Sequence, residues 1–187
     1  MQFPADEKVA YGIASKGQSF TNKGLSFAAQ AHDVHTDATG SRFVVDGVEF
    51  KLNLLGEFNV YNALAAISVA RALRVELLTC KAALECVEGI PGRLERVDHG
   101  QPFSVIVDYA PEPASMEALY RVVAMLPHQR VIHVLGSTGG GRDRARRRVL
   151  GQIAAEHADI VVVTNEDPYE DDPMEIIEEV AKGAEEM

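Results

Sequence analysis

The sequence predicts an α/β protein in two parts: an antiparallel β-sheet with helices, then a parallel sheet of the doubly wound kind. Three observations support this fold class. An Asp-Gly pair separates two alternating runs in FVVDGVEFKL, which is a strong hairpin signal. After residue 103, apolar runs alternate strictly with helical segments, as in parallel sheets. The Gly-, Pro- and charge-rich segment GIPGRLERVDHGQPF separates the two parts.

The first part is predicted to contain three antiparallel strands and two helices. GLSFAAQAHDVHTD alternates apolar and polar residues and forms the strand before the hairpin. His32 and His35 lie three apart on it, so we expect two solvent-exposed side chains and no shared metal. GEFNVYNALAAISVARALRV has helical periodicity. LLTCKAALECVEG is a second helix, with Thr79 as a possible N-cap and Gly89 as its stop.

The second part is predicted to follow a β-α-β-α-β-α order. FSVIVDYA, RVIHVLGS and DIVVVTNED are strands with both faces buried, and helices follow each of them. Three parallel strands make a thin sheet, so we expect a truncated domain and a chain that is a fragment. We place the domain boundary after residue 91, which gives domains of residues 1–91 and 92–187.

Composition excludes several functional classes. The 187 residues include 18 basic and 28 acidic side chains, and a net charge of -10 argues against nucleic-acid binding. Cys80 and Cys86 are six apart in a predicted helix, which suits neither a disulfide nor a metal site. No apolar run approaches the roughly 18 residues of a membrane span. The first residues, MQFPADEKVAYG, lack signal-peptide features. We expect a cytoplasmic monomer without membrane contact.

Polar residues follow all three predicted strands of the second part, where open parallel sheets bind ligands. Asp108 follows the first strand, GSTGGGRD the second and NEDPYEDD the third. Gly140 and Gly141 let backbone N–H groups approach an anion, and Arg142, placed at the start of the next helix, offers a planar fork to a carboxylate or phosphate. A simple flexible loop is the alternative for this glycine segment.

Two further charged segments have simpler interpretations. Arg144, Arg146, Arg147 and Arg148 cannot share one helix face, so most of them are expected in solvent. Residues 170–172 are expected to form a solvated loop and the N-cap of the last helix. Asp108 alone is equally compatible with helix capping.

Four motifs in this order resemble the Mur ligases of peptidoglycan synthesis, most closely the muramyl-tripeptide synthetase type. They are LLGEFNVYNALAAISVA, GIPGRLERV, VIVDYAPEPASMEAL and VLGSTGGGRDRARRRVLGQIAAEHADIVVVTNEDPYEDDPMEII. The resemblance covers roughly residues 40 to 180. It implies the second part of a central ATP-binding domain joined to an incomplete Rossmann-like C-terminal domain. It also implies the joining of an amino acid to a UDP-muramyl peptide with ATP and Mg²⁺, through an acyl phosphate.

The resemblance also assigns roles to individual residues. Asn59, with Asn62 beside it, corresponds to the asparagine that reads adenine. Arg93 corresponds to an arginine at the ATP phosphates, and Asp108 to the aspartate at the ribose. Arg142, after Gly140 and Gly141, corresponds to an arginine that holds the incoming amino acid. The segment that selects this amino acid is represented by Asn165, Glu166, Asp167 and Pro168. No catalytic residue is assigned.

Several residues depart from the family pattern. Pro111 stands where the family has histidine, and Tyr169 replaces the selecting arginine of the D-N-P-R segment. Residues 146–148 read Arg-Arg-Arg instead of Lys-Arg-Pro, and the glycine loop has an extra residue. The selecting arginine that Tyr169 replaces would bind the distal carboxylate of meso-diaminopimelate. The added amino acid therefore stays open between meso-diaminopimelate, lysine and a different amino acid.

The sequence contains no Gly-x-x-Gly-Lys-Thr/Ser phosphate loop. Two alternatives to a ligase fragment are a non-catalytic ligand-binding module and a fragment of a folylpolyglutamate or cyanophycin ligase. The gene sequence upstream of the Met1 codon would distinguish a ligase fragment from a non-catalytic module. An in-frame phosphate loop there indicates an enzyme.

We predict that the purified 187-residue chain has neither ligase nor ATPase activity, because it has no cradle for the ATP phosphates. Phosphate release is measured with ATP, Mg²⁺, a UDP-muramyl dipeptide and a mixture of amino acids. Release that rises above background only when both substrates are present would contradict this prediction.

Overall fold

The computed structural model describes residues 9–14 and 26–187. Parts of the predicted first strand, GLSFAAQAHDVHTD, and of the N-terminal MQFPADEKVAYG therefore lie outside the described residues. The chain divides into two compact units, Met1–Val107 and Asp108–Met187. This division comes later in the chain than residue 91, and the boundary of the two domains at that position stays a prediction.

The first unit contains a four-stranded sheet of order β1-β2-β3-β4. Its strands are β1 Val9–Ile13, β2 Ser26–Asp37, β3 Gly40–Val45 and β4 Val48–Leu52. β2, β3 and β4 are antiparallel, while β1 runs parallel to β2. Asp46 and Gly47 both have positive φ, 47° and 78°, as a type I′ turn requires. The predicted hairpin and the strand before it are confirmed.

Two helices follow this sheet, α1 Glu57–Ala72 and α2 Leu77–Glu85. The core between α1 and the sheet includes Phe43 and Phe50, whose rings stack with centroids 5.1 Å apart. The predicted ends of α2 are wrong. Its N-cap is Glu76 and its C-cap is Cys86, because the N–H of Thr79 already bonds to the Glu76 carbonyl within the first turn.

The two histidines are exposed as predicted, whereas the two cysteines differ in burial, and an interpretation of both as core or half-buried thiols is wrong for Cys86. His32 and His35 are both exposed, and the register of β2 on β3 shifts between them. Cys80 is buried in the core of the first unit, whereas Cys86 is exposed, and both are free thiols.

The strand predicted in FSVIVDYA pairs differently from expectation. It forms β6, Val105–Val107, which pairs antiparallel with β5, Glu95–Val97. The turn between them is held by Gly100 N–H donating to Asp98 Oδ1 and His99 N–H donating to Gln101 Oε1. These local bonds reverse the chain, so the nearest partner of β6 is the strand directly before it. The prediction that this strand joins two others in one parallel sheet is therefore wrong.

The second unit contains one parallel strand pair and three helices. β7 Ile132–Leu135 runs parallel to β8 Ile160–Val163. The helices are α3 Pro113–Val123, α4 Ala145–His157 and α5 Pro173–Glu185. All three predicted helices are therefore present. Asp172 caps α5, as predicted, because its Oδ1 accepts a hydrogen bond of 2.8 Å from the Met174 N–H.

Only one face of the β7–β8 pair is covered by the described residues of the second unit. Leu135 packs into a core formed with Met116, Tyr120, Leu150, Ile153, Ala154 and Val180. The opposite face is exposed at alternate positions, by 54%, 60%, 41% and 43% at Ile132, Val134, Ile160 and Val162. The prediction that both strand faces are buried is wrong for these two strands. Among the described residues, no helix is both long enough and apolar enough to cross a membrane.

Helices α4 and α5 pack against each other through glycine. A Cβ atom on Gly151 would lie under 3.0 Å from the Val180 carbonyl oxygen, and one on Gly183 under 3.0 Å from the Arg148 carbonyl oxygen. The two backbones therefore approach more closely than any side chain at these positions would allow. This contact fixes α5 against α4 and with it the end of the loop that joins β8 to α5.

We predict that Gly151→Ala lowers the free energy of unfolding by about 2 kcal/mol or more, because the added methyl group meets backbone that cannot rotate away. The usual effect of Gly→Ala in a helix is the opposite, a gain of about 0.5–1 kcal/mol. Chemical denaturation measures the difference, with the exposed Glu178→Ala on α5 as control. A stabilised Gly151→Ala protein would contradict the close packing.

Candidate ligand cavity at the strand ends

A cavity of about 250 Å³ opens at the carboxyl ends of β7 and β8. All of its lining residues belong to the second unit. They are Asp108, Tyr109, Ala110, Pro111, Met116, Leu119, His133, Val134, Leu135, Gly136, Ser137, Thr138, Thr164, Asn165 and Glu166. The structure therefore brings residues that follow β6, β7 and β8 together around one cavity, as the sequence predicts, although β6 does not share a sheet with β7 and β8. Of the predicted site residues, Asp108, Asn165 and Glu166 line this cavity.

The glycine loop after β7 packs directly on the loop after β8. Thr164 N–H donates to the Leu135 carbonyl and Gly139 N–H to the Asp167 carbonyl, both at 2.9 Å. A Cβ atom on Gly136 would lie under 3.0 Å from the Thr164 carbonyl, and one on Gly139 would meet Pro168. These glycines therefore allow two loop backbones to touch, which a merely flexible loop would not require.

Gly140, Gly141 and Arg142 lie on the outer side of this loop. Gly140 and Gly141 have φ of 67° and 76°, and a side chain on Gly140 would collide with the Tyr169 ring. Arg142 is exposed. Helix α4 begins only at Ala145, whose N–H donates to Asp143 Oδ1, so Arg142 precedes the helix and is not at its start.

Two buried hydroxyl groups face the cavity region. Ser137 and Thr138 are 3% and 5% exposed. The Thr138 hydroxyl donates to Glu166 Oε2 at 2.7 Å and so holds that carboxylate in place. Within the described part of the chain, the Ser137 hydroxyl has no hydrogen-bond partner. Sequence reasoning missed both residues, because a Ser-Thr pair beside glycines has the composition of any loop.

Arg147 is buried, 1% exposed, which contradicts its predicted place in solvent. Its guanidinium donates to Asp171 Oδ2 at 2.9 Å, to Glu179 Oε2 at 2.8 Å and to the Thr138 carbonyl at 3.5 Å. Burial acts to lower the Arg147 pKa, but the bonds to Glu179 and Asp171 raise the pKa overall. One side chain thereby joins the glycine loop, the loop after β8 and α5.

Of the other arginines in α4 and at its N-terminus, one is buried and two are exposed. Arg146 is also buried, 5% exposed, and pairs with Glu112, so the prediction of solvent exposure is wrong for it as well. Arg144 and Arg148 are exposed, as predicted, and pair with carboxylates of α5 and its C-terminal end. Burial of two adjacent arginines was not foreseeable from helical periodicity, because their carboxylate partners lie more than 20 residues away in the chain.

A tyrosine–histidine pair lies beside the cavity. The Tyr120 hydroxyl is 2.6 Å from His133 Nδ1. Burial raises the pKa of Tyr120 to about 12, and burial lowers the pKa of His133. Both groups are therefore neutral near pH 7, and the hydroxyl donates to Nδ1, which assigns the remaining ring proton to Nε2. The cavity wall at His133 carries no positive charge.

The residues of the first unit that are predicted to bind the nucleotide differ in solvent exposure. Asn59 is 6% exposed, and its Nδ2 donates to the Leu55 carbonyl at 2.8 Å. Asn62 is exposed, and its Nδ2 donates to Asn59 Oδ1. Asn59 therefore anchors the start of α1 and supports Asn62. Arg93 is exposed, in a turn where its N–H donates to the Ile90 carbonyl.

One group of possible metal ligands lies outside the cavity lining. Glu117, Glu156 and His157 have ligand atoms within 4.8 Å of one another, a grouping that joins α3 to α4 and that no sequence spacing reveals. His157 Nε2 lies 3.8 Å from Glu117 Oε2, and both side chains are more than 40% exposed. This geometry is that of a surface ion pair.

Comparison with known sequences gives the family. The profile of the Mur ligase glutamate ligase domain matches residues 92–187, and that of the Mur ligase middle domain matches residues 3–70. The chain belongs to the Mur ligase family. It is 47% identical over 171 residues to a UDP-N-acetylmuramyl-tripeptide synthetase of Roseiflexus sp., covering 86% of this chain and 33% of that protein.

Other relatives support the same family. The chain is 42% identical over 158 residues to a UDP-N-acetylmuramoyl-L-alanyl-D-glutamate–2,6-diaminopimelate ligase of Syntrophomonas wolfei, covering 82% of this chain and 32% of that protein. It thus spans about a third of the length of the curated relatives that it matches. Among solved structures, MurF of Acinetobacter baumannii has the same fold, with a TM-score of 0.65 at 23% identity, over 92% of this chain and 40% of that chain.

We predict that Arg147→Ala lowers the free energy of unfolding by about 2–3 kcal/mol. Removing one partner of a buried ion pair costs more than this when the remaining charge is buried, but Asp171 and Glu179 are 36% and 29% exposed and regain water. The matched control is Arg148→Ala, whose side chain is 64% exposed and whose loss should leave Tm unchanged. Equal effects of the two substitutions in thermal denaturation would contradict the joining role of Arg147.

Proposed function

We propose that this chain is part of a cytoplasmic ATP-dependent ligase that adds an amino acid to a UDP-muramyl peptide in peptidoglycan synthesis. The observation that carries the proposal is the cavity at the strand ends, whose lining includes Asp108, Asn165 and Glu166. These residues occupy the motif positions that bind ligands in the family. The Roseiflexus relative, which is 47% identical, is a UDP-N-acetylmuramyl-tripeptide synthetase and supports the same reaction.

Charge pairing supports a ligand role for Arg142. In the described part of the chain, Arg144, Arg146, Arg147 and Arg148 all form ion pairs with carboxylates, whereas no ion pair involves Arg142. An exposed guanidinium beside Gly140 and Gly141 is suited to a carboxylate, which it can bind through two parallel N–H···O bonds. We assign it to the carboxylate of the incoming amino acid.

Four residues are assigned to the nucleotide, following the resemblance to the family. Asn62 presents its exposed amide to the adenine, and Asn59 holds it in position through the bond between their side chains. Asp108 accepts from the ribose hydroxyls, and Arg93 neutralises phosphate charge. ATP with Mg²⁺ would supply the activation of the peptide carboxylate in the complete enzyme. This chain contributes recognition and positioning, because it has no phosphate loop.

The amino acid that is added is constrained by the loop after β8. Tyr169 lies against Gly140, at the position where the family's selecting arginine would stand. A tyrosine offers no positive charge to a distal carboxylate, which disfavours meso-diaminopimelate. Asp167 faces the glycine loop through its carbonyl, which accepts from Gly139, while Pro168 and Tyr169 cover the loop from outside.

A second candidate is the folylpolyglutamate branch of the family. A folylpolyglutamate synthase of Mycobacterium tuberculosis has a TM-score of 0.59 at 27% identity, over 73% of this chain and 31% of that chain. The muramyl relatives are more similar in sequence and cover more of the chain. The muramyl-peptide reaction is therefore the preferred proposal, ahead of both this branch and a non-catalytic binding module.

The test is a chimera in which the matching segment of the Roseiflexus tripeptide synthetase is replaced by this chain. We predict that the chimera ligates an amino acid to a UDP-muramyl dipeptide and consumes ATP. Arg142→Ala should lower kcat/KM for the amino acid about a hundredfold, since a fork to a carboxylate in the transition state is worth roughly 3 kcal/mol. Product formation is followed by chromatography over a panel of amino acids.

Arg148→Ala is the control, because Arg147→Ala would also disturb the fold. It should stay within a few-fold of the parent chimera. A folded chimera that binds ATP and ligates none of the amino acids would contradict the proposed function. Equal effects of Arg142→Ala and Arg148→Ala would contradict only the assignment of Arg142.

A further inference from the structure

Glu117, Glu156 and His157 bring three metal-binding groups together on the surface of the second unit. Their ligand atoms all lie within 4.8 Å of one another, and this is the one such group among the residues that the structure describes. Glu117 belongs to α3, whereas Glu156 and His157 are the last two residues of α4. The group therefore joins two helices, and none of its members lines the cavity at the strand ends.

An ion pair accounts for only two of these three side chains. His157 Nε2 lies 3.8 Å from Glu117 Oε2, so a protonated imidazole and one carboxylate can compensate each other. Glu156 adds a second carboxylate, and within the described part of the chain its side chain has no ion pair of its own. Two carboxylates at this separation repel each other unless a cation lies between them. The group therefore has room for more positive charge than one imidazole supplies.

The imidazole of His157 is held in position by a neighbouring ring. The Tyr120 ring packs against it, with centroids 4.6 Å apart and ring planes tilted by 35°. Tyr120 is 7% exposed, and its hydroxyl lies 2.6 Å from His133 Nδ1, which fixes the ring from its other end. Because the orientation of the His157 ring is already set, binding of an ion to Nε2 costs little additional order.

The C-terminal end of α4 adds further negative potential. This helix has 13 residues and ends at His157. The last carbonyl groups of a helix have no partner within it, and they give its C-terminal end a partial negative charge that favours cations. The helix end and the two carboxylates therefore act in the same direction.

We propose that Glu117, Glu156 and His157 bind a divalent transition-metal ion, with Zn²⁺ as the reference ion. Zn²⁺ binds imidazole nitrogen and carboxylate oxygen at about 2.0–2.2 Å in tetrahedral geometry, which places neighbouring ligand atoms roughly 3.3 Å apart. The contraction from 3.8 Å between His157 Nε2 and Glu117 Oε2 requires only a small rotation of a partly exposed glutamate side chain. An imidazole ligand favours such an ion over Mg²⁺ and Ca²⁺, which prefer oxygen ligands.

The bound ion would tie α3 to the C-terminal end of α4. Three protein ligands leave at least one coordination position to water, so the ion exchanges with ions in solution. Its effect is to stabilise the folded second unit, because an ion that needs ligands from two helices binds only when those helices are packed together. Metal binding at this site is independent of the proposed ligase reaction and of the Mg²⁺ that accompanies ATP.

The experiment is a titration of the ¹⁵N-labelled 187-residue chain with ZnCl₂ and, separately, with MgCl₂, followed by amide and imidazole chemical shifts. A residue-resolved method is needed because Cys86 and other exposed histidines also offer ligands to Zn²⁺. ZnCl₂ should shift the amide resonances of residues 116–118 and 155–158 and the imidazole nitrogen of His157. MgCl₂ should require a concentration about a hundredfold higher for the same amide shifts.

Three variants test the ligands. His157→Gln should weaken Zn²⁺ binding at these resonances about tenfold or more, and Glu117→Gln and Glu156→Gln should each weaken it by roughly threefold to tenfold, since each removes one ligand. The matched controls are His128→Gln, an exposed histidine before β7, and Glu178→Gln, an exposed carboxylate on α5. Both controls should retain the affinity of the parent chain.

Thermal denaturation provides a second readout. ZnCl₂ should raise the Tm of the parent chain, because the ion binds the folded state, and His157→Gln should lose most of this rise. Without metal, His157→Gln should keep the Tm of the parent chain within a few degrees, since the side chain is 41% exposed.

Several outcomes would overturn the proposal. They are the absence of Zn²⁺-dependent shifts at residues 116–118 and 155–158, shifts of the same size with MgCl₂ at the same concentration, and equal Zn²⁺ affinity of His157→Gln and His128→Gln. Shifts confined to the surroundings of Cys86 or His35 would likewise assign Zn²⁺ to another place. None of these outcomes affects the ligase reaction that the chimera tests.

Discussion

The arrangement of the second unit depends on the burial of the Arg147 guanidinium. Three different segments of the second unit converge on this one group, through the Thr138 carbonyl, Asp171 and Glu179. Burying a guanidinium is favourable only when hydrogen bonds and opposite charge compensate for lost water. The side chain therefore stays buried only while the loop after β7, the loop before α5 and α5 itself keep their relative positions. A charged residue in this role sets geometry more strictly than an apolar one, because its donors point in fixed directions.

The shape of the cavity at the strand ends follows from this constraint together with close backbone packing. Gly136 and Gly139 let the two loops touch, and Gly151 lets α5 approach α4. The loops are thus held from both sides, and the Ser137 hydroxyl remains unpaired between them. Proteins commonly accept a local loss of stability at a binding site when the rest of the fold compensates. Here the compensating interactions are the ion pairs of Arg147 and the α4–α5 contact.

Local signals explain which parts of the fold could be predicted from the sequence. The Asp46–Gly47 turn, the helix α1 and the Asp172 cap depend on residues within one turn of each other, and all were foreseen. The pairing of β6 with β5 and the burial of Arg146 and Arg147 depend on partners far along the chain or on competition between strands, which periodicity does not encode. The gathering of polar residues after β7 and β8 at one edge was predicted, because parallel strands place their carboxyl ends together. The Ser137–Thr138–Glu166 arrangement was not predicted, because it depends on contact between two loops that are separate in the sequence.

These contacts explain why an acidic chain contains an arginine-rich segment. Five arginines lie between residues 142 and 148 in a protein of net charge -10. Arg144, Arg147 and Arg148 compensate carboxylates of the α5 region, and Arg146 compensates Glu112. Positive charge is thus used internally, and the segment offers no broad cationic surface to a polyanion. Arg142 lies before the helix, and in the described part of the chain it forms no ion pair, unlike the other four arginines. A single exposed guanidinium without a carboxylate partner among the described residues can bind a carboxylate from outside the chain through two parallel N–H···O bonds.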